Sequence, residues 1–135
     1  MKRIAIVVLL VSTCQLFAVT PAPSCPTFGK VVEFNQTRHG SFDDAVKEVP
    51  IVVVDFYGAS CPPCKKLSPI IEQLAKELPD VKFIKVNTAT NNALAHKYSI
   101  KSIPQLFFFK DGQLQGRKSG FQTKSAIKKH ITSLG

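Results

Sequence analysis

Cys61-Pro62-Pro63-Cys64 is the segment of this chain with the clearest capacity for chemistry. Two cysteines with two residues between them, placed where an apolar run gives way to a helix, form the pattern that thiol–disulfide exchange requires. That spacing lets the first helical turn close the two sulfurs into a small ring. The helix N-terminus offers free N–H groups and positive potential, which favour a thiolate at Cys61. With Cys61 as N-cap, Pro62 is N1, Pro63 is N2 and Cys64 is N3. Neither proline carries an N–H, so the Cys64 amide is the nearest backbone donor to the Cys61 sulfur. Half of a zinc site and a merely structural disulfide are the alternatives. Zinc asks for two more ligands, and Cys25 with His39, His96 or His130 offers no paired spacing. The expectation is redox chemistry without a metal or an organic cofactor.

A second chemical candidate lies six residues upstream. Asp55 interrupts Ile51-Val52-Val53-Val54-Asp55-Phe56-Tyr57, a run that is apolar on both faces apart from the acid. A carboxylate in such surroundings is costly unless it has a partner or a task. The alternative, a strand-end residue in solvent, conflicts with its apolar flanks.

The elements around these residues follow from pattern. Residues 30–34 read as a short strand, and Ser41 caps a helix whose first turn carries Asp43 and Asp44. Residues 51–57 suit a central strand. Residues 62–78 form a helix in which Leu67, Ile70, Ile71, Leu74 and Leu78 share one stripe. Pro69 inside it removes the N–H that would bond the Lys65 carbonyl, which predicts a kink. Residues 81–86 are the next strand, and Asn91 caps a short helix through Tyr98. Residues 105–110 and 113–119 flank Asp111-Gly112, a two-residue hairpin signal. Thr123 caps a last helix with Ile127, Ile131 and Leu134 on one face. Strands alternating with helices imply parallel pairing, and the closing hairpin adds antiparallel strands. The expected fold class is α/β, a central mixed β-sheet flanked by helices on both faces.

The N-terminus reads as an address. Lys2 and Arg3 precede the unbroken apolar run 4–11, and Ser12-Thr13-Cys14-Gln15 lowers the hydrophobicity before Leu16-Phe17-Ala18. That order is a secretory signal peptide, with a run too short for the ~20 residues of a bilayer span. Residues 1–18 are assigned to the signal, with Ala18 as its last residue. A lipoprotein box ending at an acylated Cys14 is the alternative, and only then is a membrane a partner. Residues 19–29 are a proline-rich linker, since Thr20 to Pro26 holds three prolines. Residues 30–135 are the single domain. Removing 1–18 lowers the formal charge from +9 to +7 and leaves three of four cysteines, with Cys25 outside the 61/64 pair.

A chain of pI about 9.6 invites the question of nucleic acid. Its basic residues are scattered, however: Lys65, Lys66, Lys82, Lys97, Lys101, Lys118, Lys124, Lys128 and Lys129 form no long run, and no binding motif accompanies them. A solvated basic surface is the reading, with no nucleic-acid partner.

The segment from Val54 to Pro69, with Cys61-Pro62-Pro63-Cys64-Lys65 at its centre, resembles the active-site segment of the thioredoxin family. Lys85-Val86-Asn87, Tyr98-Ser99-Ile100-Lys101-Ser102-Ile103-Pro104 and Phe109-Lys110-Asp111-Gly112 match that family in order and spacing, so the resemblance covers roughly residues 30–135. It implies a thioredoxin fold in which Cys61 attacks a substrate disulfide and Cys64 resolves the mixed disulfide. It also makes Asp55 the proton acceptor for Cys64 and Lys85 the charge partner of Asp55. Ile103-Pro104 matches the family's cis-proline site, where the Ile103 backbone pairs with an extended substrate. Gly120 resembles the glycine that admits substrate on the far side of the groove. Two positions depart from the family. Ser60 stands where a tryptophan is usual, which removes a large apolar contact, and Pro62-Pro63 replaces Gly-Pro at the substrate-facing turn.

These readings converge on an exported, monomeric protein-disulfide reductase acting on protein disulfides, with an electron donor or acceptor that the sequence does not identify. A disulfide oxidase or isomerase in the cell envelope is the nearest alternative. A client-binding module that uses the Pro104 groove without catalysis is a third, and the presence of both cysteines disfavours it.

Overall fold

The computed structural model describes residues 29–135; the expected signal peptide, all but the last residue of the linker, and Cys14 and Cys25 lie outside the described residues. Five strands form one sheet in the order β1-β3-β2-β4-β5. They are β1 (Val31–Glu33), β2 (Ile51–Tyr57), β3 (Val81–Asn87), β4 (Gln105–Lys110) and β5 (Gln113–Ser119). The first three run parallel to one another, while β4 pairs antiparallel with β2 and β5 antiparallel with β4. The helices are α1 (Gln36–His39), α2 (Phe42–Ala45), α3 (Pro62–Glu77), α4 (Asn92–Lys97) and α5 (Lys124–Leu134).

Side chains alternate across a strand, so β2 divides its apolar residues between two cores. Val52, Val54 and Phe56 join Phe34, Phe42, Val86, Phe107 and Phe109 on one face. Val53 joins Leu67, Ile71, Leu74, Phe83, Leu106, Phe108, Ile127 and Ile131 on the other, beneath α3 and α5. Most of the buried phenylalanines go to the first core, where edge-on pairs such as Phe42 with Tyr98 at 5.3 Å and Phe56 with Phe107 at 5.0 Å fill the space. The same alternation puts Asp55 on the α3 side of the sheet, two residues beyond Val53. Ile127 and Ile131 are buried and Leu134 is half-buried, so the apolar stripe expected of the last helix is the one that packs.

Local signals act largely as the sequence dictates. Ser41 Oγ accepts the Asp44 N–H at 3.2 Å, and Thr123 Oγ1 accepts the Ala126 N–H at 3.3 Å. Asp111 and Gly112 both take positive φ, 50° and 78°, as a primed two-residue hairpin needs. Asn91 differs from expectation. It occupies the N-cap of α4 without capping through its side chain, because Nδ2 donates to the Asn87 carbonyl at 3.0 Å and to Thr90 Oγ1 at 3.1 Å. The β3–α4 turn thus claims the amide first. The extra helix α1 is a single turn, started by Asn35 Oδ1 accepting from the Thr37 N–H. Helix α3 continues through Pro69, which is exposed.

Candidate active site

The C-terminal ends of β2 and β3 and the start of β4 meet the N-terminus of α3, and that junction holds the two cysteines. They form a disulfide with their Cα atoms 5.2 Å apart. Cys61 is the N-cap of α3, with extended backbone, and its Sγ accepts the Cys64 N–H at 3.2 Å. This is the donor left when two prolines occupy N1 and N2. The Cys61 N–H is held by the Gly58 carbonyl at 3.3 Å, and the Lys65 N–H bonds the Cys61 carbonyl at 3.1 Å. Both residues are buried, Cys61 at 7 % exposed and Cys64 at 2 %, so Cys61 is the more accessible residue of the pair. Ser60, Pro62 and Pro63 are exposed around it.

Ile103 and Pro104 lie directly beside this loop. In the β2–β4 register Phe56 faces Gln105, which brings the preceding Ile103-Pro104 to the end of β2. The peptide bond between them is cis, the isomer expected from the resemblance, and Pro104 is buried. The Pro104 carbonyl accepts the Gly120 N–H at 2.8 Å, which ties the end of β5 to the same rim. Nothing lies within 4 Å of a β-carbon placed on Gly120, so the space beside it is open.

Gly58 is a contributor that pattern reading did not single out. A β-carbon there would meet Ile103 Cδ1 at 2.6 Å and Cys61 Cβ at 4.0 Å. Hydrogen in place of a side chain is what lets Ile103 approach the cysteine loop. The only signal in the sequence is a glycine directly after a seven-residue apolar strand.

Asp55 is buried, 1 % exposed, and neither of its carboxylate oxygens has a hydrogen-bond partner among the described residues. Burial pushes its carboxyl from an ordinary 3.8 up to about 7; Lys85 works against that rise and Glu33 adds to it. A carboxyl that half-ionises near neutral pH is suited to take and return a proton. Lys85 lies opposite Asp55 in the β2–β3 register, yet it is not bound to it directly. Its ammonium donates to Ser68 Oγ at 2.6 Å and sits 4.4 Å from the centre of the Tyr57 ring. Lys85 acts on Asp55 as a charge through space, while a hydroxyl on α3 and an aromatic face hold its ammonium. Tyr57 in turn donates its hydroxyl to Glu33 Oε1 at 2.9 Å.

The three histidines are spread over the molecule, with His39 stacked on Phe34, His130 against Phe108 and His96 exposed in α4. Among the described residues no group of three His, Cys, Asp or Glu side chains converges.

A dithiol at a helix N-terminus beside a cis-proline, on a five-stranded mixed sheet, defines a thiol–disulfide oxidoreductase. The family profile for thioredoxin matches residues 32–133, and the chain belongs to the thioredoxin family. Thioredoxin of Mycoplasmoides gallisepticum is 38% identical over 92 residues, covering 68% of this chain and 92% of that protein. Thioredoxin of Rickettsia prowazekii is 40% identical over 95 residues, 69% of this chain and 90% of that one. Among solved structures, a point mutant of thioredoxin from Halobacterium salinarum NRC-1 superposes with a TM-score of 0.72 at 31% identity, covering 79% of this chain and 92% of that one. A thioredoxin f2 solved in complex with ferredoxin:thioredoxin reductase has a TM-score of 0.70 at 26% identity, over 79% and 96% of the two chains. Within this family the Cys61–Cys64 pair makes the protein a disulfide reductase.

Proposed function

We propose that the protein reduces disulfides of exported proteins as a single chain, with Cys61 as nucleophile, Cys64 as resolving thiol and Asp55 as the proton acceptor for Cys64. The observation that carries the assignment of roles is Cys61 at the N-cap, the less buried residue of the pair and the one whose sulfur accepts the Cys64 N–H.

The Cys61 thiolate attacks one sulfur of the substrate disulfide. That S–S bond breaks, a Cys61–substrate bond forms, and the first substrate sulfur leaves as a thiolate that takes a proton from water. Cys64 then loses its proton to Asp55 and attacks Cys61 Sγ. The second substrate sulfur leaves, and the Cys61–Cys64 disulfide remains. Two electrons have passed from the dithiol to the substrate. An extended substrate segment would lie along Ile103 and Pro104, with Ser60, Pro62 and the open side of Gly120 at the edges of that groove.

An external dithiol must return the two electrons. The f2 relative was solved in complex with ferredoxin:thioredoxin reductase, which supports a protein donor here. Export rests on the order of basic, apolar and small residues over 1–18. Edman sequencing or mass spectrometry of the protein from its own host tests it, with Val19 as the expected first residue. A diacylglycerol adduct on Cys14 would replace a soluble protein with a membrane-anchored one.

Direction is tested by equilibrating the 61/64 pair against glutathione or dithiothreitol buffers. A reductase sits near about −270 mV, whereas a value near about −120 mV would make the protein an oxidant.

A further inference from the structure

We infer that Ser68 is a positioning residue: its hydroxyl accepts a hydrogen bond from Lys85 and thereby holds the ammonium off the Asp55 carboxylate. The inference rests on the reading of Asp55 as the proton acceptor for Cys64, and it assigns a further residue to that step.

Four strands and a helix meet around Asp55. Period-two alternation puts Glu33 of β1, Asp55 and Tyr57 of β2, and Lys85 of β3 on the side of the sheet that α3 covers. Glu33 and Asp55 both lie opposite Lys85 in the two parallel registers. From β4 the residue opposite Asp55 is Leu106, which brings no charge. From α3 come Ser68 and the buried Cys64, whose thiol is titratable once the disulfide is reduced.

In this set Lys85 is the sole cation and Asp55 lies next to it in register. A buried carboxylate beside a cation ordinarily closes into an ion pair, because each group otherwise loses its solvation uncompensated. Here it does not close. The ammonium is held by Ser68 Oγ at 2.6 Å and by the Tyr57 ring, with its centre 4.4 Å away, while neither Asp55 oxygen has a hydrogen bond among the described residues. Tyr57 is itself fixed by its hydroxyl bond to Glu33 at 2.9 Å. The Ser68 hydroxyl is thus the competing acceptor that keeps the pair open.

Its consequence is an acid whose proton affinity is set by burial more than by its neighbour. A closed ion pair would favour the ionised carboxylate and lower the pH at which it takes a proton. Asp55 would then accept the Cys64 proton poorly near neutral pH. Holding Lys85 on Ser68 keeps the carboxyl in the range where it exchanges protons with a thiol.

The test is the Ser68→Ala variant, with Ser68→Thr as the conservative rescue. Alanine suits an α-helix, so α3 is retained. Two readouts are followed against pH in the full chain: the carboxyl carbon shift of Asp55 by NMR, and the rate at which Cys64 resolves a preformed mixed disulfide between Cys61 and a short peptide. In Ser68→Ala, Lys85 turns to Asp55, and both midpoints fall by about one unit, a roughly tenfold loss of proton affinity. Ser68→Thr restores them. In a Lys85→Met background the Ser68→Ala change has no effect on the NMR midpoint. An Asp55 midpoint that stays or rises in Ser68→Ala, or one that falls equally without Lys85, overturns the inference. A midpoint that falls by NMR while the rate profile stands still upholds the positioning of Lys85 and overturns the role of Asp55 as acceptor.

Discussion

Gly58 and Ile103 touch across the mouth of the site so closely that a β-carbon on the first would stand 2.6 Å from Cδ1 of the second. The clash is with the far end of a side chain, so Gly58→Ala is relieved by turning Ile103 and costs little stability, about 1 kcal/mol. The turned Ile103 no longer fits the groove beside Cys61. The expected result is a several-fold fall in kcat/KM toward a protein disulfide, carried mostly by KM. Ile103→Val deletes Cδ1, so the double variant recovers most of the loss. Failure of the second change to restore activity would mean that Gly58 acts through something other than this contact.

The two sulfurs differ in place, and that difference predicts opposite outcomes for their serine variants. Cys61→Ser removes the accessible nucleophile and abolishes turnover of a protein disulfide. Cys64→Ser leaves attack intact and removes resolution, so a covalent complex with substrate accumulates through Cys61. Non-reducing gels and peptide mapping identify the linked cysteine; a link through Cys64 in the Cys61→Ser variant would reverse the assignment.

Asp55 predicts a pH dependence of stability whose sign is set by burial. Its folded carboxyl titrates at about 7 against an ordinary 3.8, so between those values the native state holds a proton that the unfolded state has released. Stability therefore falls as pH rises from about 4 through 7, by up to about 4 kcal/mol at roughly 1.4 kcal/mol per unit. Asp55→Asn keeps the shape and removes the charge. The oxidised variant should match the parent near pH 4 and exceed it by a few kcal/mol at pH 8 in urea unfolding. A parent whose stability is flat between these pH values would show that Asp55 is solvated when ionised.

Much of this site was legible before the fold was. The CxxC at a strand-to-helix junction located both cysteines, and the two prolines singled out the Cys64 amide as the donor to Cys61. An acid inside an apolar run located Asp55. The strand bounds 105–110 and 113–119 followed from Asp111-Gly112, because only a primed turn brings two such strands together in two residues. What pattern did not reveal depends on distances between elements far apart in sequence. Ser68 is one polar residue on a helix until Lys85, seventeen positions on, is brought to it by the β2–β3 pairing. Gly58 gains its meaning from Ile103, forty-five positions on, which the β2–β4 pairing brings to the end of β2. The Asn91 cap misled for a local reason, since an asparagine amide serves a turn as readily as a helix end.

The double proline gives the sharpest test of how the helix N-terminus serves Cys61. An N-cap acceptor ordinarily bonds the N–H of N2 or N3, and here the N1 and N2 donors are both missing. The Cys64 N–H at 3.2 Å is what remains. A hydrogen bond to a charged group contributes roughly 1.5–3 kcal/mol, and one pH unit of proton affinity is about 1.4 kcal/mol. Pro62→Gly restores an N–H one residue from the sulfur. If that donor turns toward Sγ, thiolate absorbance at Cys61 appears about one pH unit lower in the reduced variant than in the parent. Glycine also loosens the first turn and so weakens the bond from Cys64, an effect of opposite sign. The direction of the change decides between them. An absorbance midpoint that stays or rises would show that rigidity of the Pro62-Pro63 turn, holding the Cys64 amide in place, outweighs the donors it removes.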